Sequence, residues 1–91
     1  MSPVRPHWFY IYLLKSEKAG TFYTGVTNDL KKRFKQHNKG KVSYTKHRCP
    51  YKLIYFEACL DKNDAYRRER YLKTGMGKRY LKNRLRGGLT G

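Results

Sequence analysis

The stretch WFYIYLLKSEKAGTFYTGV, residues 8–26, decides the fold. Trp8 to Leu14 is a run of aromatic and branched apolar residues, Ser16 to Ala19 with Gly20 marks a turn, and Thr21 to Val26 is a second aromatic run. Two such runs around a short polar turn predict a β-hairpin. Side chains alternate across a strand. Phe9, Ile11 and Leu13 therefore share one face of the first strand, Tyr10, Tyr12 and Leu14 the other, and Phe22 and Tyr23 divide likewise. One face of the sheet must carry tyrosine hydroxyls.

Downstream, Thr27 or Asn28 is placed to cap a helix whose first turn holds Asp29. Leu30, Arg33, Phe34 and His37 recur on one face before Gly40 ends it. Residues 39–50, KGKVSYTKHRCP, read as a basic loop, and Tyr51 to Ala58 as a third strand. Asp61 opens the next helix, with Asp64 in the position of a weak capping box. That helix is expected to run to about Thr74, where Gly75-Met-Gly77 breaks it, and a short last helix to span Lys78 to Leu85. Residues 1–7 read as an extended arm and residues 87–91 as a frayed tail. The order β-β-α-β-α-α predicts an α+β fold, a small three-stranded antiparallel sheet flanked by helices.

With 91 residues the chain has room for one domain, expected over 1–91 with a core at about 8–85, and a two-domain reading is excluded. A content of 38% hydrophobic and 15% aromatic residues separates it from a disordered basic tail. Cys49 and Cys59 have neither CxxC partners nor a histidine pair at zinc spacing, so both are read as reduced thiols of a cytoplasmic protein. Trp8 to Leu14 is too short to span a membrane and lacks the features of a signal peptide.

Lys and Arg number 22 against 6 Asp and Glu, a formal charge of +16, which points to a polyanionic partner. The charge is uneven. Residues 31–52 hold nine basic and no acidic side chains, residues 53–64 one basic and three acidic, and residues 65–91 nine basic and one acidic. Two basic blocks interleaved with Phe34, Tyr44, Tyr66, Tyr71 and Tyr80 suit a nucleic-acid groove in which cations neutralise phosphates. For any single lysine a solvated helix face is the simpler reading.

The lone acid of the last block is Glu69. Ala65, Glu69, Leu72 and Met76 fall at i, i+4, i+7 and i+11, which places Glu69 on the stripe facing the body of the domain. A carboxylate there needs a partner, either an arginine in a structural pair or a hard divalent cation such as Mg²⁺. One carboxylate favours a one-metal site over a two-metal clamp. Phosphodiester hydrolysis needs charge stabilisation at the phosphoryl oxygens, a base for the attacking water and help for the leaving oxygen. Glu69 with its ion, Arg33, and the tyrosine and histidine side chains have the chemistry for those roles. A tyrosine would need its pKa lowered from about 10 to act as base, and dense positive charge works in that direction. From spacing alone, Tyr12 and Tyr23 read equally well as packing residues.

The sequence resembles the GIY-YIG nuclease superfamily. The resemblance rests on Tyr10-Ile11-Tyr12, Tyr23-Thr24-Gly25 after ten intervening residues, Arg33 and His37 on the next helix, Glu69 on a later one and Asn83 near the end. The segments FYTGVTNDLKKRFKQHN and AYRRERYLKTGMGKRYLKNRL look like its small bacterial members. Tyr10 stands where the motif has Gly, and Thr24 where it has Ile. Residue by residue, the resemblance implies that Glu69 chelates a single Mg²⁺ or Mn²⁺ and that Arg33 stabilises the scissile phosphate. Tyr23 would activate or orient water beside Tyr12, His37 would assist proton transfer, and Asn83 would lie near the metal or phosphate. Lys31, Lys32 and Lys35 read as backbone-positioning contacts. His7 and His47 have no counterpart in the motif and read as surface residues. The implied activity is DNA phosphodiester hydrolysis in repair or recombination, with RNA as a second substrate class and with a partner protein or the chain's own surface directing it. The rival from another class is a non-catalytic DNA- or RNA-binding module. Charge does not separate the two; Glu69 in company with Arg33 and Tyr23 does, because binding alone has no need of that set.

Overall fold

A computed structural model describes residues 7–87. All but His7 of the expected N-terminal arm, and all but Gly87 of the expected tail, lie outside these residues. The hairpin forms as its alternation requires, from β1 (Phe9–Ser16) and β2 (Phe22–Thr27), and β3 (Tyr51–Cys59) pairs with the other side of β1. The sheet is antiparallel in the order β2-β1-β3, so β1 is central and β2 is an edge strand. Tyr12 lies opposite Gly25, and Leu14 opposite Tyr23.

The two faces of β1 build two cores. Ile11 and Leu13 pack with Ala65 and Leu72 of α2 (Lys62–Leu72) and with Leu81 of α3 (Gly75–Arg84). Tyr12 and Leu14 pack on the opposite face with Tyr51, Leu30 and Phe34, which places α1 (Leu30–Asn38) there. Ile11 and Leu14 are almost wholly buried, each worth roughly 1.5–3 kcal/mol of transfer free energy. Tyr10, at the departure from the family motif, is half-buried edge-on to Phe56.

Three details at the helix ends differ from the sequence reading. Thr27 and Asn28 do not cap α1: Thr27 is the last residue of β2, and Asp29 takes the cap by accepting the Lys32 amide at 3.1 Å. Asp61 caps α2 by accepting the Asp64 amide at 3.0 Å, but the Asp64 carboxylate pairs with Arg67 at 2.9 Å instead of closing a box. The Gly75-Met-Gly77 segment begins a helix. Thr74 accepts the Gly77 amide at 3.2 Å and starts α3 at Gly75, so α2 stops at Leu72. Gly77 is buried where a Cβ would overlap the Tyr71 carbonyl and the Leu72 backbone, and it is the close crossing of the two helices that requires glycine. Met76, expected on the inward stripe, is 68% exposed because it belongs to the redirected helix.

The outer side of this layer is locked by a polar cluster. Arg68 of α2 donates to both Glu57 carboxylate oxygens on β3, at 2.8 and 3.0 Å, and Tyr55 donates to Glu57 at 2.8 Å. The guanidinium also lies 5.3 Å from the Tyr71 ring and 4.8 Å from the Tyr80 ring, which joins β3, α2 and α3 through one side chain.

Candidate active site

The tyrosine face of the hairpin and the polar side of α1 meet beside the edge strand. Tyr12, Tyr23, Arg33 and His37, spread over 26 positions of sequence, come together there. The Tyr23 ring centre lies 5.0 Å from that of His37 and 6.1 Å from that of Tyr12. Gly25 makes room for this. A Cβ at that position would sit 2.5 Å from the Tyr12 hydroxyl oxygen and 2.6 Å from Cζ, so any larger residue displaces the Tyr12 ring. The third position of the YTG motif is thus a steric requirement of the tyrosine on the paired strand.

His37 is fully buried, with both ring nitrogens engaged: Nε2 lies 2.8 Å from the Tyr12 hydroxyl and Nδ1 2.7 Å from Thr45 Oγ1. Thr45, also fully buried, has Oγ1 3.4 Å from the Val42 carbonyl. The ends of this chain set its direction. A carbonyl, which only accepts, closes one end at Val42, and the Arg33 guanidinium, which has only donors, lies beside Tyr12 at the other. Tyr12 therefore donates to Nε2, the Nδ1 proton goes to Thr45, and the Thr45 proton goes to Val42.

The electrostatics agree with that polarity. Burial, followed by the nearby Arg33 charge, lowers the pKa of His37 to about 4, so the ring is neutral at pH 7 with one donor and one acceptor. Burial pushes the Tyr12 phenol up to about 12, against the opposing pull of the Arg33 hydrogen bond. The expected tendency of positive charge to favour a phenolate is thus reversed at Tyr12, because desolvation of the anion outweighs the guanidinium beside it. With Tyr12 protonated and His37 neutral by such margins, the resting proton sits on the phenol.

Glu69 is placed differently. Its side chain is 17% exposed and forms an ion pair with Lys73 at 3.7 Å, and no hydrogen bond or ion pair joins it to Tyr12, Tyr23, Arg33 or His37. Tyr66, Glu69 and Lys73, at i, i+3 and i+7, share one face of α2. Tyr66 lines a hollow together with Arg33 and Lys32, and Lys73 lines a groove together with Tyr23. The α2 face that carries Glu69 thus borders both ends of the cluster across the edge of β2. Among the described residues no three His, Cys, Asp or Glu side chains gather as a ligand set. A lone, half-sheltered carboxylate suits a hard cation that keeps most of its waters and does not suit a zinc or calcium cage.

Lys31 and Lys35 are exposed on α1 along with Lys32. Asn83 is exposed on α3 and makes no described contact with the cluster. His7 and His47 are exposed, as expected of surface residues. Thr45 escaped the sequence reading: it sits in a segment whose lysines and arginine mark a solvated loop, and no pattern signals that its hydroxyl turns inward.

The three-stranded sheet thus carries an arginine and two tyrosines ranged around a buried histidine at its edge. The chain belongs to the GIY-YIG family, whose catalytic-domain profile matches residues 8–85. It is 49% identical over 65 residues to the UPF0213 protein CPE1444 of Clostridium perfringens, covering 70% of this chain and 69% of that one. It is 39% identical over 87 residues to a UPF0213 protein of Bacillus licheniformis, covering 91% and 87%. The solution NMR structure of the UPF0213 protein BH0048 from Bacillus halodurans has the same fold, with a TM-score of 0.51, 35% identity and 81% of each chain covered. No helix among the described residues is long and apolar enough to cross a membrane.

Proposed function

We propose that this protein is a cytoplasmic, divalent-metal-dependent endonuclease that hydrolyses DNA phosphodiester bonds, with repair or recombination as its setting. The observation that carries this reading is the directed chain Tyr12–His37–Thr45 beside Arg33, because it spends two buried polar side chains on fixing one phenol next to a guanidinium. Simple phosphate binding by surface lysines requires no such arrangement.

Arg33 holds a non-bridging phosphate oxygen and offsets the charge that grows there as the pentacovalent state forms. Tyr12, buried and with its proton committed to His37, backs the Arg33 guanidinium from inside and keeps it aimed. Tyr23, its ring tilted against that of His37, orients the attacking water with its hydroxyl. His37 acts through Tyr12 and is a positioning residue in this reading, since its Nε2 is already occupied. Glu69 would hold a single Mg²⁺ or Mn²⁺. Such an ion supplies Lewis-acid stabilisation of phosphoryl oxygens. Lys31, Lys32 and Lys35 contact the phosphate backbone, and Asn83 lies toward the same polyanion from α3.

The test is incubation of the purified chain with duplex, nicked, branched and single-stranded DNA and with RNA, in Mg²⁺ or Mn²⁺, beside Glu69→Gln and Arg33→Ala. The wild type is expected to cut DNA, Glu69→Gln to bind without cutting, and Arg33→Ala to lose about 10²–10³ in rate, as for removal of one charge-stabilising donor. Equal binding by the wild type and Glu69→Gln, with no cleavage by either, would leave a non-catalytic binding module.

A further inference from the structure

The edge of β2 opens onto a groove of about 1180 Å³ that the hydrogen-bonded set Tyr12, His37 and Thr45 does not line. Its floor is apolar, formed by Leu13, Leu72 and Leu81 from both strand and helices. Two aromatic side chains stand along it, Phe22 at 49% and Tyr44 at 72% exposure. Lys73, Lys78 and Lys82 line the helical side, and no carboxylate is among the lining residues; Lys73 reaches Glu69 at 3.7 Å just outside. Tyr23 belongs to both places, bordering the groove while its ring lies 5.7 Å from Tyr44 and 5.0 Å from His37.

These features select the occupant. The space exceeds the roughly 300–1,000 Å³ of a small-molecule pocket, which suits a polymer passing through. Three cations without a lining carboxylate call for a polyanion. Exposed rings beside cations form the platform on which successive bases stack, and a base offers its face only when it is not already stacked within a duplex. We propose that the groove binds an unpaired strand of DNA, with bases stacked on Tyr44 and Phe22 and phosphates on Lys73, Lys78 and Lys82, and so leads a single-stranded segment to Tyr23. The proposal rests on the DNA-cleaving reading and narrows its substrate to DNA with an unpaired strand next to the scissile bond.

The test is fluorescence anisotropy with a labelled single strand and the matching blunt duplex, in EDTA so that nothing is cut, with folding of each variant checked by circular dichroism. Tyr44→Leu combined with Phe22→Leu is expected to weaken single-strand binding by about fivefold or more and to leave duplex binding within about twofold. Tyr44→Phe keeps the ring and should bind as the wild type. Lys78→Ala with Lys82→Ala should flatten the salt dependence of single-strand binding by about 0.7 per lysine. Undiminished single-strand binding by the double leucine variant, or an equal loss on single strand and duplex, overturns the proposal. If the wild type binds neither DNA, the DNA reading falls as a whole. If the wild type binds duplex in EDTA and cuts it once Mg²⁺ is supplied, while the groove variants hold single strands normally, the groove assignment alone fails.

Discussion

Acidification should unfold this protein through His37 before its carboxylates matter. The ring is fully buried and its pKa falls from the ordinary 6.5 to about 4, so between these values the unfolded chain binds a proton that the native chain refuses. Stability therefore falls as pH drops through that window and is unaffected by this group above it. The full span corresponds to about 3 kcal/mol at 1.36 kcal/mol per unit, of which about 2 kcal/mol is lost by pH 5. Carboxylates contribute mainly below about pH 4.5, so the interval from pH 7 to 5 isolates the histidine. For a chain of this size 2 kcal/mol lowers Tm by roughly 8–16 °C. Urea and thermal denaturation followed by circular dichroism at pH 7, 6 and 5 should show this slope in the wild type. In His37→Gln the slope should vanish, whatever the absolute stability of the variant. A wild type with flat stability from pH 7 to 5, or a variant with the same slope, would refute the assignment of a buried neutral imidazole.

Gly25→Ala forces the Tyr12 ring off Nε2 and should cost about 1–3 kcal/mol, together with most cleavage activity; a variant as stable as the wild type in urea would show that the ring has another seat. Tyr12→Phe strips the donor from a buried histidine nitrogen at a cost of about 1–3 kcal/mol, and unchanged urea stability would contradict the hydrogen-bond chain. At Glu57, burial raises the carboxyl pKa, but the hydrogen bonds from Arg68 and Tyr55 outweigh it and hold the group below its ordinary 4.5. Its pairing therefore stabilises the fold above that value and is lost as pH falls through the lowered one. Glu57→Gln should cost about 1.5–3 kcal/mol at pH 7, read as a lower Tm, and the difference from wild type should shrink in acid.

The three strands, their in–out alternation and the Asp61 cap could be read directly from the sequence, because each depends on local conformational preference or on a period of two residues. The residues of the candidate site are picked out by the family resemblance, since spacing alone leaves the tyrosines equally well explained as packing. The alternation in Trp8 to Leu14 required a tyrosine face, and Tyr12 and Tyr23 indeed share one. The same local logic failed at Gly75-Met-Gly77, which has the composition of a helix break but supplies the first turn of α3, because Gly77 answers to the neighbouring α2 backbone. It also left the protonation of Tyr12 undecided. Net charge argued for an ionisable phenol, while burial of Tyr12 decided its proton, and burial is a property of the packed molecule. The partner of His37 on one side is 25 residues away and on the other is an inconspicuous threonine in a basic loop. Periodicity tells which face of an element turns inward. Only the meeting of faces from separate elements sets which polar atoms lose water together, and that desolvation fixes where the protons reside.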